Sequence, residues 1–171
     1  IDAGTPFDDE GGHFGMVDYH VLRMDAPDGE VVDCGPALHV RDVPWAKRQM
    51  WAPDAAYRDG RYYFYFPAKD ADDIFRIGVA VGDRPEGPFT AQPDAMAGTY
   101  SIDPAVYADD DGEQYLYFGG IWGGQLQKYR DNVRDDTHEE PVGDAPALGA
   151  RVGRLRADML ELDEPTREVV I

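Results

Sequence analysis

Two aspartates, Asp54 and Asp103, stand at matching positions in two similar stretches of the sequence. Glycoside hydrolysis needs one protonated carboxyl to release the leaving group and one ionised carboxyl to activate water. Two carboxyl groups that meet beside aromatic rings supply those parts, so the spacing indicates a sugar-cleaving pair. An aspartate at such a position also caps its own turn by accepting hydrogen bonds from backbone N–H groups. The spacing alone leaves both interpretations open.

Short strands must position these carboxyls. Residues 51–66 and 101–118 each begin a strand near the aspartate, pass through an Asp-Gly pair and enter a strand rich in tyrosine and phenylalanine. Asp-Gly between apolar runs predicts a hairpin because glycine tolerates positive φ. Two further strands, 75–81 and 85–92, follow the first copy and make four per unit. Four-stranded units repeated about every 50 residues predict an all-β fold, a β-propeller, with a β-sandwich as the alternative.

The predicted propeller brings the two aspartates together, because the first strand of each blade lines the central axis.

The composition agrees with a neutral substrate. The chain has 171 residues and a formal net charge of −18, from 34 acidic and 16 basic residues. That charge repels nucleic acid and anionic membrane surfaces, so neither is predicted as a partner. A sugar is compatible with it.

The two stretches also resemble a known family. Residues 51–65 resemble the second-blade signature of glycoside hydrolase family 43, and residues 101–117 resemble its third-blade signature. The turn Gly87-Pro88-Phe89 resembles the turn that recurs at the family's blade ends. The resemblance implies a five-bladed propeller that cleaves α-L-arabinofuranosyl or β-D-xylosyl linkages of plant polysaccharide with inversion. About two to three of the five blades would be present in this chain.

The same resemblance divides the chain into blades. Residues 1–48 would end the first blade, residues 49–97 would form the second, and residues 98–171 would form the third. Residues 132–150 are acidic, contain proline and glycine and have almost no aromatic residue, so we predict a long loop inserted into the third blade.

The family's site has three carboxyl groups: an Asp general base, a Glu general acid, and a second Asp that tunes the pKa of the acid. Asp103 matches the tuning Asp, whose charge keeps the nearby acid protonated. Trp51 matches the aromatic residue that walls the sugar subsite. Asp54 is placed with the substrate-binding residues, but the resemblance implies that it holds the inner strand and its turn instead of performing chemistry.

Three more residues are predicted to line the cleft. The loop from Gly119 to Gln125 carries glycine pairs on both sides of Trp122, which allow close approach of a ligand. We predict that Trp122 and Gln125 border the leaving-group side, with simple packing as the alternative. Phe14 is predicted to line the sugar pocket.

The other two catalytic carboxyls find no match. The general base belongs to an upstream Asp-Pro motif, and the general acid to a downstream Glu. The Glu-Gly-Pro at Glu86 ends the second blade, where it fits a turn. We therefore expect this chain to be an internal piece of a longer protein, with base and acid outside it and no hydrolase activity alone. The rest of the propeller, or a second copy, would cover its open sheet edges.

No cofactor or metal is predicted within the chain. Its four histidines share no metal-ligand spacing, and the acidic turn at residues 109–112 lacks the Glu that ends a calcium loop. A structural calcium at the propeller axis would need residues from other blades.

Two alternative functions remain open from the sequence. One is a non-catalytic propeller that binds glycans through Trp51 and Trp122. The other is an acidic propeller that binds proteins. An upstream Asp-Pro and a downstream Glu in the full-length sequence would favour the enzyme.

Overall fold

The computed structural model describes residues 14–170, and nearly all their regular structure is β. No helix among them has the length and apolar character needed to cross a membrane. The elements are β1 (Asp18–Arg23), β2 (Val32–His39), β3 (Asp54–Arg58), β4 (Arg61–Lys69), β5 (Phe75–Gly82), β6 (Thr90–Ala91), β7 (Ala105–Ala108), β8 (Gln114–Phe118), β9 (Arg151–Arg154) and β10 (Arg167–Glu168), with short 3₁₀ helices at Val40–Asp42 and Leu126–Tyr129.

The strands form three antiparallel sheets. Strands β1 and β2 pair with each other, β3-β4-β5-β6 form one four-stranded sheet, and β7-β8-β9-β10 form another. In both larger sheets the strands follow chain order from one edge to the other, as expected for the blades of a propeller. The prediction of four-stranded units is confirmed.

The two Asp-Gly pairs make different turns. Asp59 and Gly60 both have positive φ, 50° and 83°, and the flanking Arg58 and Arg61 pair directly, so the first is a two-residue hairpin. In the second hairpin the last pair is Ala108–Gln114, which leaves a five-residue loop between β7 and β8. The additional acidic residues of that loop lengthen the turn.

Strand β4 lies at the centre of the packing because both of its faces are covered. Tyr63 and Tyr65 belong to an apolar cluster shared with the third sheet, whereas Phe64 and Phe66 belong to a cluster shared with β1–β2. Alternate residues of a strand point to opposite faces. The second sheet is therefore packed between its two neighbours, which is the radial arrangement of blades and not a two-layer sandwich.

The long loop at residues 132–150 contains no strand and is tied to the third sheet. The guanidinium of Arg151, which is only 1% exposed, donates to the carbonyl oxygens of Gly149 and Tyr129. Asn132 donates through its amide to the carbonyl oxygen of Thr166 at 2.9 Å. These contacts fix both ends of the loop.

Candidate active site

Asp103 stands two residues before β7, in a strained segment. Ser101 and Asp103 both have left-handed φ, 65° and 55°. Residues other than glycine rarely adopt that conformation, although Asp tolerates it better than most. Strained backbone of this kind persists only where the surroundings hold it in place.

The glycine-rich loop from Gly119 to Gln125 supplies that support. The N–H of Gly119 donates to the carbonyl oxygen of Ile102 at 2.7 Å, and the N–H of Gly120 donates to Oγ of Ser101 at 3.0 Å. The Ser101 hydroxyl in turn donates to the carbonyl oxygen of Gly124. The loop therefore closes on the residues that precede and carry Asp103.

Two of the loop glycines are required by close contact. A Cβ on Gly120 would lie 2.8 Å from Cδ1 of Ile102, and one on Gly124 would lie 2.6 Å from the same atom. A Cβ on Gly120 would also lie 3.3 Å from Oδ2 of Asp103. The main chain of the loop thus packs directly against the Asp103 segment.

The carboxyl of Asp103 remains accessible to solvent, yet its environment changes its acidity. Partial burial among protein atoms raises the pKa of Asp103 above its ordinary value, because burial disfavours the charged form. An accessible carboxyl at the head of an inner strand is suited to act on a neighbouring acid by its charge.

Trp51 stands three residues before β3 and is held from several directions. Its N–H donates to the carbonyl oxygen of Pro67 at 3.1 Å, and its own carbonyl oxygen accepts from the Tyr19 hydroxyl. Its indole Nε1 donates to the carbonyl oxygen of Phe14 at 2.8 Å. The indole ring packs against Phe75, with 4.6 Å between ring centroids. Partly exposed and anchored by these contacts, the ring can offer an apolar face to a sugar.

The other predicted aromatic residues lie at the surface of the site. Phe14 is 73% exposed and meets Trp51 edge to face, with 6.4 Å between centroids. Trp122 is 76% exposed, and its neighbour Gly123 lies against Trp51, so that a Cβ there would be 3.3 Å from Cη2 of the indole. The structure thus brings Phe14, Trp51 and the Trp122 loop together. Their roles toward a sugar stay predictions.

Asp54 connects the inner strands of the two larger sheets. Its Oδ2 accepts from the backbone N–H of Val106 at 2.7 Å, across 52 residues of sequence. The bond joins β3 to β7 and so fixes the position of the Trp51 segment relative to the Asp103 segment along the strand direction. This partner supports the strand-holding role, and a contact between Asp54 and substrate stays a prediction.

Removing the Asp54 carboxylate is expected to destabilise the fold. In Asp54→Ala the Val106 N–H loses its charged acceptor, which costs about 2 kcal/mol of unfolding free energy. Urea unfolding measures this loss. Asp110→Ala is the matched control, because Asp110 is exposed in the β7–β8 loop and is not among the residues with positive φ. Equal destabilisation by the two changes would contradict the assigned bond.

Gln125 uses its amide on backbone groups. Its Oε1 accepts from the N–H of Phe75 and its Nε2 donates to the carbonyl oxygen of Asp73, both at 3.0 Å. The predicted contact with a leaving group is untested by these bonds and stays a prediction.

The end of the second sheet remote from Asp54 carries the β5–β6 connection and a separate cleft. Because β5 runs antiparallel to β4, the β5–β6 connection that contains Glu86 lies at the end of the sheet remote from Asp54. A cleft of about 660 Å³ at this end is lined by residues that include Asp59, Arg61 and Asp83. Glu86 therefore belongs to a turn away from Asp103.

Three supporting residues were not predicted from the sequence as members of the site. Phe75 supports the Trp51 ring, Ser101 links the glycine-rich loop to Asp103, and Glu140 accepts from the N–H of Gly123 at 3.0 Å. Each acts across at least 17 residues of sequence. No local pattern marks such contacts.

Comparison with known proteins identifies the family. Residues 33–141 match the family described as Glycosyl hydrolases family 43. Xylosidase/arabinosidase 43A of Humicola insolens is 54% identical over 173 residues, which cover 96% of this chain and 53% of that protein.

Solved structures agree. The GH43_1 enzyme from Xanthomonas citri, complexed with xylotriose, is 72% identical with a TM-score of 0.88, over 92% of this chain and 48% of its own. A β-xylosidase/α-arabinofuranosidase from a compost metagenome, in complex with xylotriose and in calcium-free form, is 55% identical with a TM-score of 0.87, over 99% of this chain and 52% of its own.

This chain spans about half the length of these relatives, and its radial four-stranded sheets are part of their β-propeller fold. The chain belongs to glycosyl hydrolases family 43.

Proposed function

We propose that the protein containing this chain hydrolyses β-D-xylosyl or α-L-arabinofuranosyl linkages with inversion, and that Asp103 tunes its general acid. One observation carries the proposal: the Gly119–Gln125 loop holds the accessible Asp103 carboxyl at the head of β7 and also packs against Trp51. The same loop thereby positions both the Asp103 carboxylate, which would tune the acid, and the Trp51 ring, which would face the sugar. The named activities of the relatives and the bound xylotriose of two structural neighbours support the substrate class.

In this mechanism Asp103 acts by charge. Its carboxylate raises the pKa of the general acid by like-charge repulsion, so that the acid keeps its proton until it transfers it to the departing oxygen. Trp51 presents its ring to the C–H face of the sugar and orients the anomeric carbon. The general base, which activates the attacking water, and the general acid are proposed to lie outside these 171 residues.

The described residues form no cluster of His, Cys, Asp or Glu side chains for a metal ion. Between residues 14 and 170, no three such side chains stand together so as to hold one.

The activity is tested with the full-length protein. We expect turnover of nitrophenyl β-xyloside or nitrophenyl α-arabinofuranoside, with a first-formed sugar of the opposite anomeric configuration by proton NMR. The 171-residue chain alone is expected to show no turnover, because it would lack two of the three carboxyls. Retention of configuration, or turnover by the chain alone, would contradict the proposal.

A glycan-binding propeller without catalysis is the second candidate. The exposed Phe14 ring and the exposed Trp122 favour it, because exposed aromatic rings next to the anchored Trp51 ring are suited to bind sugars. Binding of xylotriose by the full-length protein without any turnover would select this function.

A further inference from the structure

We propose that Gln125 is a positioning residue that fixes the Trp51 ring through Phe75, without itself contacting the sugar. The inference rests on the proposed function, in which Trp51 walls the sugar subsite. It assigns the glycine-rich loop a second task besides holding Asp103.

The side chain of Gln125 bridges two blades. It extends from the third-blade loop to the main chain at the start of β5, where its two polar atoms bond to groups on either side of Ile74. The amide thus pairs with β5 much as a peptide group of a neighbouring strand would. Both ends of the amide are engaged with main chain, so it is held in one orientation.

Phe75 transmits this restraint to Trp51. Its side chain is fully buried, and its ring centroid lies 4.6 Å from that of Trp51. The Nζ of Lys69 lies 5.2 Å from the Phe75 centroid. Because Phe75 is confined, a shift of its main chain moves the surface on which the indole rests.

The backbone of Gln125 shows that this contact is maintained at a cost. Its φ is 66°, in the left-handed region that glycine and asparagine adopt more readily than glutamine. Glutamine is one methylene longer than asparagine, and this length allows its amide to make both bonds to the second sheet. Glutamine therefore occupies this position although its backbone conformation is unfavourable.

The test uses Gln125→Asn in the full-length protein. Asparagine keeps the amide and tolerates the left-handed backbone, but it is one methylene too short to reach Phe75. We expect free xylose to bind about 5-fold more weakly, measured by calorimetry, because one restraint on the ring is lost. We also expect kcat/KM to fall by the same factor for nitrophenyl xyloside and for xylobiose. Gln92→Asn, directly after the edge strand β6 on the other side of the second sheet from β3, is the matched control and should change neither value.

Two further variants separate positioning from a general structural role. Gln125→Glu keeps the reach and the acceptor for the Phe75 N–H, so it should recover part of the xylose affinity. Phe75→Leu should weaken xylose binding as Gln125→Asn does, and the double variant should be no weaker than either single one. Additive effects would contradict transmission through Phe75.

The remaining outcomes are equally distinct. A loss confined to xylobiose would assign Gln125 to the leaving group and overturn the inference. Unchanged xylose affinity in Gln125→Asn would also overturn it. Absence of turnover by the wild-type protein would refute the proposed hydrolase, while the calorimetric comparison would still decide the role of Gln125.

Discussion

Asp103→Asn in the full-length protein is expected to lower kcat by about 10³-fold, the scale of proton-transfer catalysis that depends on it. Asparagine has nearly the shape of aspartate and accepts the left-handed φ of 55°, so the loop contacts should persist. What disappears is the charge that keeps the general acid protonated. Hydrolysis of xylobiose and of a dinitrophenyl xyloside measures the effect.

The two substrates distinguish loss of the acid from loss of the site. The xylobiose leaving group is an alcohol and needs a proton, whereas dinitrophenolate departs without one. The variant should therefore lose far less activity on the dinitrophenyl xyloside. An equal loss on both would show that Asp103 serves substrate binding or folding and not the acid.

The tuning role of Asp103 also predicts the direction in which the pH profile of Asp103→Asn shifts. The negative charge of Asp103 raises the pKa of the acid, and its removal should shift the alkaline limb of kcat to lower pH. Burial raises the pKa of Asp103 itself, so its tuning charge forms only at a higher pH than for an ordinary Asp. An unchanged alkaline limb would contradict the tuning role.

Stability provides the control for Asp103→Asn. Because the folded-state pKa of Asp103 is raised, the native state binds more protons than the unfolded state between the two pKa values, and stability falls as pH rises through that interval. Replacing the carboxyl by a neutral amide removes this loss. The variant should be at least as stable as the wild type at pH 7, and its advantage should shrink toward about pH 3.

Sequence reasoning reached the parts of the fold that local chemistry determines. The Asp59-Gly60 turn and the alternation of Tyr63 and Phe64 in β4 follow from positive φ at glycine and from strand periodicity. The strand predicted at residues 85–92 is only Thr90–Ala91 in the structure, and β10 was not predicted; strands of two residues are too short to show any period. Their pairing depends on neighbours that the sequence does not identify.

In the site, too, residues in local motifs are predictable from the sequence, whereas long-range contacts are not. Asp103 and Trp51 are predicted as site residues because their flanking residues form recognisable motifs. The partner of Asp54 is a backbone N–H 52 residues away, and Gln125 pairs with main chain 50 and 52 residues away. Backbone partners carry no residue-type signal, so no motif can report them. The long-range positioning of the site is therefore visible only in the structure.

Gly124→Ala is expected to damage both stability and activity. A Cβ there would clash with the carbonyl oxygen of Gly120 and would lie 2.6 Å from Cδ1 of Ile102. The first of these atoms is main chain and cannot rotate away, so the loop must move. Overpacking of this kind costs about 3 kcal/mol of unfolding free energy. Because Gly124 also accepts the Ser101 hydroxyl, the movement reaches the Asp103 segment, and a displacement of about 1 Å lowers kcat/KM about 100-fold.

Gly143→Ala is the matched control for Gly124→Ala. Gly143 has no neighbour within 4 Å of a built Cβ, and its φ of 60° leaves only a backbone cost of about 1 kcal/mol. Its activity should equal that of the wild type. Urea unfolding and kcat/KM per folded molecule separate the two effects of Gly124→Ala. If stability fell while activity per folded molecule persisted, the loop would support the third sheet without positioning Asp103. A fall in both that is much larger on xylobiose than on the dinitrophenyl xyloside would show that the loop holds the Asp103 carboxylate where its charge acts on the acid, whereas an equal fall on both substrates would assign the effect to the Trp51 side of the loop.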